Sequence, residues 1–295
     1  MPNLEKFTPQ KTKDGSFTFF SPEFNETFHS HYGAKQESLF KFAVPTQLAT
    51  LAKKGTVQLL DVCYGLGYNT AAALQTIWEA NPSCHVEIIG LELNPVVPQA
   101  AITHHLFDSW NYDCPDILTQ IAFEHQIQTD HLQAKLLIGD ARSSILQVHQ
   151  SGFQADAIFL DPFSPPRCPQ LWTVEFIQKI AQCLHQNGSL ATYSCAAAVR
   201  TALLSAGLII GSTSPVGRRT PGTIAAHPPT DANSTQPSLP RISPAEAEHL
   251  LTRAAIPYRD PYLSDSAEII LKRRQQEVQS SVLESTSQWR KRWKR

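Results

Sequence analysis

Between residues 57 and 226, short and almost unbroken apolar runs alternate with stretches of helical periodicity. The runs fall at 57–62, 85–93 ("HVEIIGLEL"), 134–140 ("AKLLIGD"), 155–161 ("ADAIFLD"), 189–194, 208–214 and 222–226. Helices are expected at 70–80, 95–110, 141–150, 172–185 and 196–206. A strand that is apolar along its whole length is covered on both faces, and strands alternating with helices build a mostly parallel sheet with helices on either side. The expected fold is therefore α/β, a Rossmann-like, mostly parallel sheet of seven strands. A polar stretch, about 111–131, interrupts the alternation, and no element is assigned to it.

In such sheets ligands sit at the carboxyl ends of the strands. The first strand runs into "LLDVCYGLGYNT" (59–70), a glycine turn opening a helix. Gly65 and Gly67 are not followed by a third glycine, so the dinucleotide fingerprint is missing, and no Gly-Lys-Ser or Gly-Lys-Thr is present to form a P-loop. Four acids close four strands: Asp61, Glu92, Asp140 and Asp161. A carboxylate ending the second strand suits the two hydroxyls of a ribose, the place of Glu92, and Asp140 with the backbone of Ala141 suits the amino group of adenine. Capping of the next helix competes for any one of these acids. The four in series favour a nucleoside. The turn carries no basic residue, so a cofactor without phosphate fits, and S-adenosyl-L-methionine meets that description.

Asp161 opens "DPFSPPRCPQLW", a stiff proline-rich loop with Phe163 in it. One reading is a loop that caps the following helix. The other is chemical. An alkylammonium has no lone pair at neutral pH, so transfer of a methyl group to an amine needs a group that orients the amine and takes its proton. Asp161 is the expected catalytic carboxylate, with Phe163 packing on a planar ring.

The rest of the chain sets limits. Its 25 Lys and Arg against 26 Asp and Glu leave no global field toward nucleic acid, so any basic surface must be local. The cations concentrate at Lys272–Arg274 and in "WRKRWKR" (289–295), a solvated tail or an RNA contact with stacking tryptophans. Six scattered cysteines without a C-x-x-C pair read as buried thiols, and His29, His31, His104 and His105 as surface or capping residues; no metal is expected. No signal peptide or apolar run of membrane-spanning length is found, which places the protein in the cytoplasm and off the membrane. Residues 1–40, with an alternation at 16–20, are expected as an N-terminal flap, 41–226 as the catalytic domain, and 227–295 as a linker and a helical basic tail, with helix at 243–255 and from about 266. "AAIPYRDPYL" (254–263) is too aromatic for a plain linker and is expected to pack over the site.

From about residue 21 to 226 the sequence resembles the methyltransferase part of the tRNA 5-methylaminomethyl-2-thiouridine biosynthesis proteins, the MnmC-like methyltransferases, in their stand-alone form. The likeness lies in "SPEFNETFHSHYGAKQESLFKF", "CYGLGYNT", "GLELNP", "IGDAR", "IFLDPFSPPRCPQLW", "LATYSCAAAVRTALLSAGL" and "VGRRTPGTIA". It implies S-adenosylmethionine-dependent N-methylation of the 5-aminomethyl group of (2-thio)uridine at the tRNA wobble position, with the anticodon loop as partner. It further implies that Tyr64, Gly65, Gly67 and Asn69 face the cofactor, Glu92 its ribose, Asp140 and Ala141 its adenine, and Asp161 with Phe163 the amine and base. Glu37 would help close the cofactor site, and Arg218 and Arg219 are candidate RNA or structural residues. Cys63 stands where the family turn often has its first glycine. No second glycine fingerprint exists for a flavin-dependent oxidase, so the chain is expected only to methylate. Two other readings remain open, an aminopropyltransferase of the spermidine synthase type and a non-enzymatic RNA-binding protein. The sequence leaves the oligomeric state open, a monomer included.

Overall fold

The computed structural model describes residues 7–108, 110–217, 220–230 and 239–293. Two small hairpins come first: β1 (Gln10–Lys11) with β2 (Phe17–Thr18), and β3 (Phe20–Ser21) with β4 (Glu26–Thr27). Helices α1 (Ala34–Ser38) and α2 (Leu48–Leu51) lead into β5 (Thr56–Val62), α3 (Tyr68–Ala80), β6 (His85–Glu92) and α4 (Val96–Thr103). Next come α5 (Cys114–Glu124), β7 (Gln126–Gln128), β8 (Leu132–Ile138), α6 (Ala141–Gln150), β9 (Ala155–Leu160), α7 (Val174–Gln182) and β10 (Leu184–Thr192). The chain continues through α8 (Ala197–Ser205), β11 (Ile209–Ser212), β12 (Thr223–Ala226), α9 (Pro244–His249), α10 (Ala267–Ser280) and α11 (Thr286–Trp293).

The central sheet has the order β11-β12-β10-β9-β5-β6-β8-β7. Strands β10, β9, β5, β6 and β8 are parallel, while β12 runs antiparallel between β10 and β11. All seven expected strands are present. The eighth, β7, is a three-residue antiparallel edge strand on β8. It lies with α5 in the segment to which no element was assigned. That segment is polar, but Cys114, Leu118, Ile121 and Ala122 form a buried stripe at helical spacing. Helix α4 is shorter than expected and ends near His104, with His105 at φ 58°.

The period of two along each strand divides the core. Val57 and Leu59 of β5 join one apolar cluster with α3 and α5, whereas Leu60 and Val62 join the other with α6, α7 and α8. Each fully buried large apolar side chain stabilises by about 1.5–3 kcal/mol, which makes this two-sided burial the main support of the sheet. From β5 the chain moves outward to β6 and β8, then crosses back to β9 and β10. That reversal opens a crevice beyond the carboxyl ends of β5 and β9.

The C-terminal segment is held to this core by buried charge. Arg200 of α8, 2% exposed, pairs with Glu246 of α9 at 2.8 Å and donates to Thr223 of β12. Arg142 of α6 pairs with the wholly buried Asp260 at 2.9 Å. Tyr258 and Ile270 are buried in the second cluster, and residue 258 bridges to Thr173. Residues 254–263 therefore pack behind the loop that follows β9 rather than over the crevice. In α11, Trp289 stacks on His249 at 4.1 Å and donates to the Ala245 carbonyl, and Arg292 pairs with Glu284 and Glu248. The described part of the basic tail is thus a helix fastened to α9. Arg218 and Arg219, and the last two residues of "WRKRWKR", lie outside the described residues. Among the described residues, no helix is long and apolar enough to cross a membrane, and no group of three or more His, Cys, Asp or Glu side chains could hold a metal ion.

Candidate active site

A cleft of about 710 Å³ opens at the crevice, beneath the hairpin β3–β4. Gly65, Glu92, Asp161, Phe163 and Glu37 line it, as expected from sequence. Tyr64, Gly67, Asn69, Asp140 and Ala141 do not.

The turn after β5 explains part of this. Cys63 adopts φ 69° and Gly67 φ 97°. A Cβ added to Gly67 would lie 3.0–3.2 Å from the Tyr64 ring, so the glycine leaves room for that ring to fold back into the core. Tyr64 is 3% exposed, and its backbone N–H donates to Leu91. Its side chain supports the turn and does not face the cleft. Cys63 lines the cleft, and burial pushes its thiol well above the ordinary range, away from the reactive thiolate.

Glu92, at the end of β6, is 8% exposed. It accepts the Gly65 amide at 2.8 Å with one oxygen and the Asn94 amide at 2.8 Å with the other. Burial raises its pKa and the backbone amides partly offset the rise. The carboxylate fixes the glycine turn and keeps acceptor capacity toward the cleft.

Asp140 caps α6. It accepts from the Arg142 amide at 2.9 Å and holds the Arg142 guanidinium at 2.7 Å. Burial alone would raise its carboxyl, but the hydrogen bonds and charge of Arg142 outweigh that and hold it low. Ala141, 8% exposed, packs in the second core cluster.

Asp161 follows β9 at the centre of the cleft. Asn69, at the start of α3, donates to its carboxylate at 2.9 Å. Asn69 itself is 3% exposed, so it orients Asp161 and does not border the cleft. Burial raises the Asp161 pKa well above the carboxylate range; Asn69 opposes this, and the charges of Glu37 and Asp61 add to it. Beneath it, Asp61 is wholly buried, accepts from Thr70 at 2.8 Å, and is pushed up to about 7 by burial.

The loop after Asp161 is stiffened from behind: Trp172 donates to the Phe163 carbonyl at 2.8 Å and Tyr193 to the Pro162 carbonyl at 3.0 Å. Three residues that sequence reasoning did not single out complete its front. Phe24 of the hairpin stacks on Phe163 at 4.3 Å and 15°, and Phe28 meets the same ring edge-on at 5.1 Å. Glu26 accepts from both the amide and the hydroxyl of Ser164. The signal was present as phenylalanines spaced through "SPEFNETFHSH", but their partner lies 139 residues away from Phe24.

A further omission is Lys41, which lines the cleft and is 4% exposed. It pairs with Glu37 at 2.7 Å, while Ser30 donates its hydroxyl and amide to the same carboxylate. Burial alone would raise the Glu37 carboxyl, but Lys41 and Ser30 hold it below its ordinary value. His29 is no surface residue: its ring packs edge-on to Tyr68, and burial lowers it to about 4.

Residues 104–228 match a family described as S-adenosyl-L-methionine-dependent methyltransferases. The crystal structure of MNMC2 from Aquifex aeolicus superposes with a TM-score of 0.79 at 32% identity, over 93% of this chain and 86% of that one. The chain belongs to the MnmC-like methyltransferases. An uncharacterized protein, MJ0670 of Methanocaldococcus jannaschii, is 30% identical over 272 residues, 90% of this chain and 71% of that protein. The tRNA 5-methylaminomethyl-2-thiouridine biosynthesis bifunctional protein MnmC of Methylibium petroleiphilum is 27% identical over 231 residues. This chain spans about a third of that relative's length, the match covering 34% of it.

The cofactor of this methyltransferase is S-adenosylmethionine, and the cleft suits it. Glu23, Glu26, Glu37, Glu92 and Asp161 face it, against Lys41 as its one Lys or Arg among the described residues. A sulfonium with an ammonium group is favoured in such a field, and a phosphate is not.

Proposed function

We propose that this methyltransferase N-methylates the 5-aminomethyl group of (2-thio)uridine at the wobble position of tRNA. The carrying observation is Asp161: a half-buried carboxylate of raised pKa, oriented by Asn69, at the mouth of β9 and beside an aromatic wall. The tRNA assignment is supported by the names of the MnmC relatives.

When bound, the cofactor supplies an electrophilic methyl group on a sulfonium. The chain's own residues prepare the amine. The substrate arrives as an ammonium whose proton must leave before its nitrogen can attack. Asp161 accepts a hydrogen bond from that nitrogen and takes the proton, a transfer favoured by the raised pKa, because a weaker conjugate acid belongs to a stronger base. The Asn69 amide fixes the direction of the carboxylate. Phe163, held by Trp172 and stacked on one face by Phe24, forms with Phe24 and Phe28 an apolar wall against which the uracil ring packs. Gly65 and Glu92 hold the nucleoside end of the cofactor, and the hairpin carrying Phe24 and Glu26 closes the cleft against water. The tRNA phosphates stay outside the acidic interior, where their charge would be repelled.

The test is methyl transfer in vitro from labelled S-adenosylmethionine to tRNA carrying a free 5-aminomethyl group, beside the same tRNA with that amine acetylated. Label in the free amine alone is the expected result. Label in both, or in neither while the cofactor still binds, overturns the proposed substrate.

A further inference from the structure

Lys41 occupies a place that an ordinary core position does not explain. It lies in a widened turn, residues Leu39–Ala43, where the Val44 amide reaches back five residues to the Leu39 carbonyl. Such π turns interrupt helices chiefly where function needs a side chain displaced. The turn swings Lys41 into the cleft, four residues beyond Glu37.

An ammonium donates three hydrogen bonds, yet among the described residues the side chain of Lys41 meets one acceptor, Glu37 Oε1. A buried donor left short of partners is costly, so a 4% exposed ammonium facing a cavity implies an acceptor that arrives with a ligand. Glu37 cannot move to serve a different partner, because the Ser30 amide and hydroxyl fasten both its oxygens. The pair is a fixed cation with open coordination.

Which anion reaches it follows from the surroundings. Lys41 stands among Glu37, Glu92 and Asp161, behind the segment His29–Ser30. A tRNA phosphate would have to enter this acidic interior with its charge uncompensated. The amino-acid end of S-adenosylmethionine brings a carboxylate together with its own ammonium, so the carboxylate finds Lys41 and the ammonium a field of acids. We propose that the Lys41 ammonium docks the carboxylate of the cofactor's amino-acid end, with Glu37 as the positioning residue that holds it in place. This inference rests on S-adenosylmethionine being the cofactor, and it assigns the end of the cofactor opposite to the one served by Glu92.

Two probes that both lack the sulfonium charge isolate that contact. S-adenosylhomocysteine keeps the carboxylate, and 5′-methylthioadenosine lacks the whole amino acid. Titration calorimetry on the full chain compares wild type with Lys41→Met, and with Glu37→Gln/Lys41→Met, which removes the carboxylate that the single change would leave buried and unpaired. Both variants are expected to bind S-adenosylhomocysteine about 10- to 100-fold more weakly, the range of a lost charge-assisted hydrogen bond. Methylthioadenosine affinity should stay within about threefold in at least the double variant. Equal losses for both probes, or no loss for S-adenosylhomocysteine, overturns the assignment; in the second outcome a changed pH profile of turnover would move Lys41 to the control of Asp161. A wild-type protein that binds neither probe contradicts the cofactor reading itself, and this inference falls with it.

Discussion

The two sides of the cleft are built by different means. On the side proposed for the cofactor, the Glu92 carboxylate meets the Gly65 amide across two adjacent parallel strands, 27 residues apart. Sheet geometry alone brings strand ends together there. On the side proposed for the acceptor, the partners come from the N-terminal hairpin and the loop after β9, joined by Glu26 to Ser164 over 138 residues and by Phe24 to Phe163. No strand pairing fixes that contact. Its geometry depends on the Glu26–Ser164 latch and on the contacts of Phe24 and Phe28 with Phe163.

This division predicts separable defects, of which the largest belongs to Asp161. Asp161→Asn keeps a group of the same shape but cannot take a proton, and turnover is expected to fall by about 100- to 10,000-fold, the usual range for a general base. S-adenosylhomocysteine affinity, read by calorimetry, should barely change. The pH profile adds a sign. The working form of Asp161 is the deprotonated carboxylate and its pKa is raised by burial, so wild-type turnover should increase with pH through a limb lying well above the ordinary carboxylate range. In the Asn variant that limb should vanish.

Glu92→Gln tests the opposite side. The neutral amide loses the charge-assisted bonds to the glycine turn, and cofactor affinity should weaken about tenfold or more, with KM for tRNA little altered. A tRNA-only defect would break the assignment of the two sides.

Smaller effects are expected from the ring stack. Phe24→Leu or Phe163→Leu should raise KM for tRNA about three- to tenfold, the worth of about 0.5–1.5 kcal/mol of aromatic contact, and leave cofactor binding unchanged. Steady-state kinetics with varied tRNA and saturating cofactor decides it.

The smallest effect concerns folding. Cys63 holds φ 69°, a left-handed conformation that costs a side-chain-bearing residue about 1–2 kcal/mol. Part of that returns in Cys63→Gly, reduced by the lost packing of the thiol, so melting should shift upward by no more than a few degrees. A clear drop would mean that the thiol's packing outweighs the strain.

The same contrast governs what the sequence revealed. The seven strands were legible because each is a short, mostly apolar run set between stretches of helical periodicity, and burial on both faces favours that pattern. That Gly65, Glu92 and Asp161 line the cleft was legible for a related reason: a parallel sheet exposes its strand ends at one edge. Tyr64 was not, since its direction depends on the space left above Gly67 and Gly90 by the absence of two Cβ atoms. Asp140 looked like its neighbours in sequence, but it also caps α6 and holds an Arg142 anchored by Asp260, 118 residues away, a tertiary contact that no local pattern encodes. Helix α5 was hidden by its polar surface. Lys41, Phe24 and Glu26 gain their importance only from tertiary contacts that no local pattern encodes.

The most direct test of the central claim is a mass-spectrometric comparison of wobble uridines in tRNA from a strain lacking this gene, complemented with the wild-type chain or with Asp161→Asn. The account predicts unmethylated 5-aminomethyl uridines in the deletion strain, restored to the methylaminomethyl form by wild type and not by the variant. Identical wobble nucleosides in the parent and the deletion strain would contradict it.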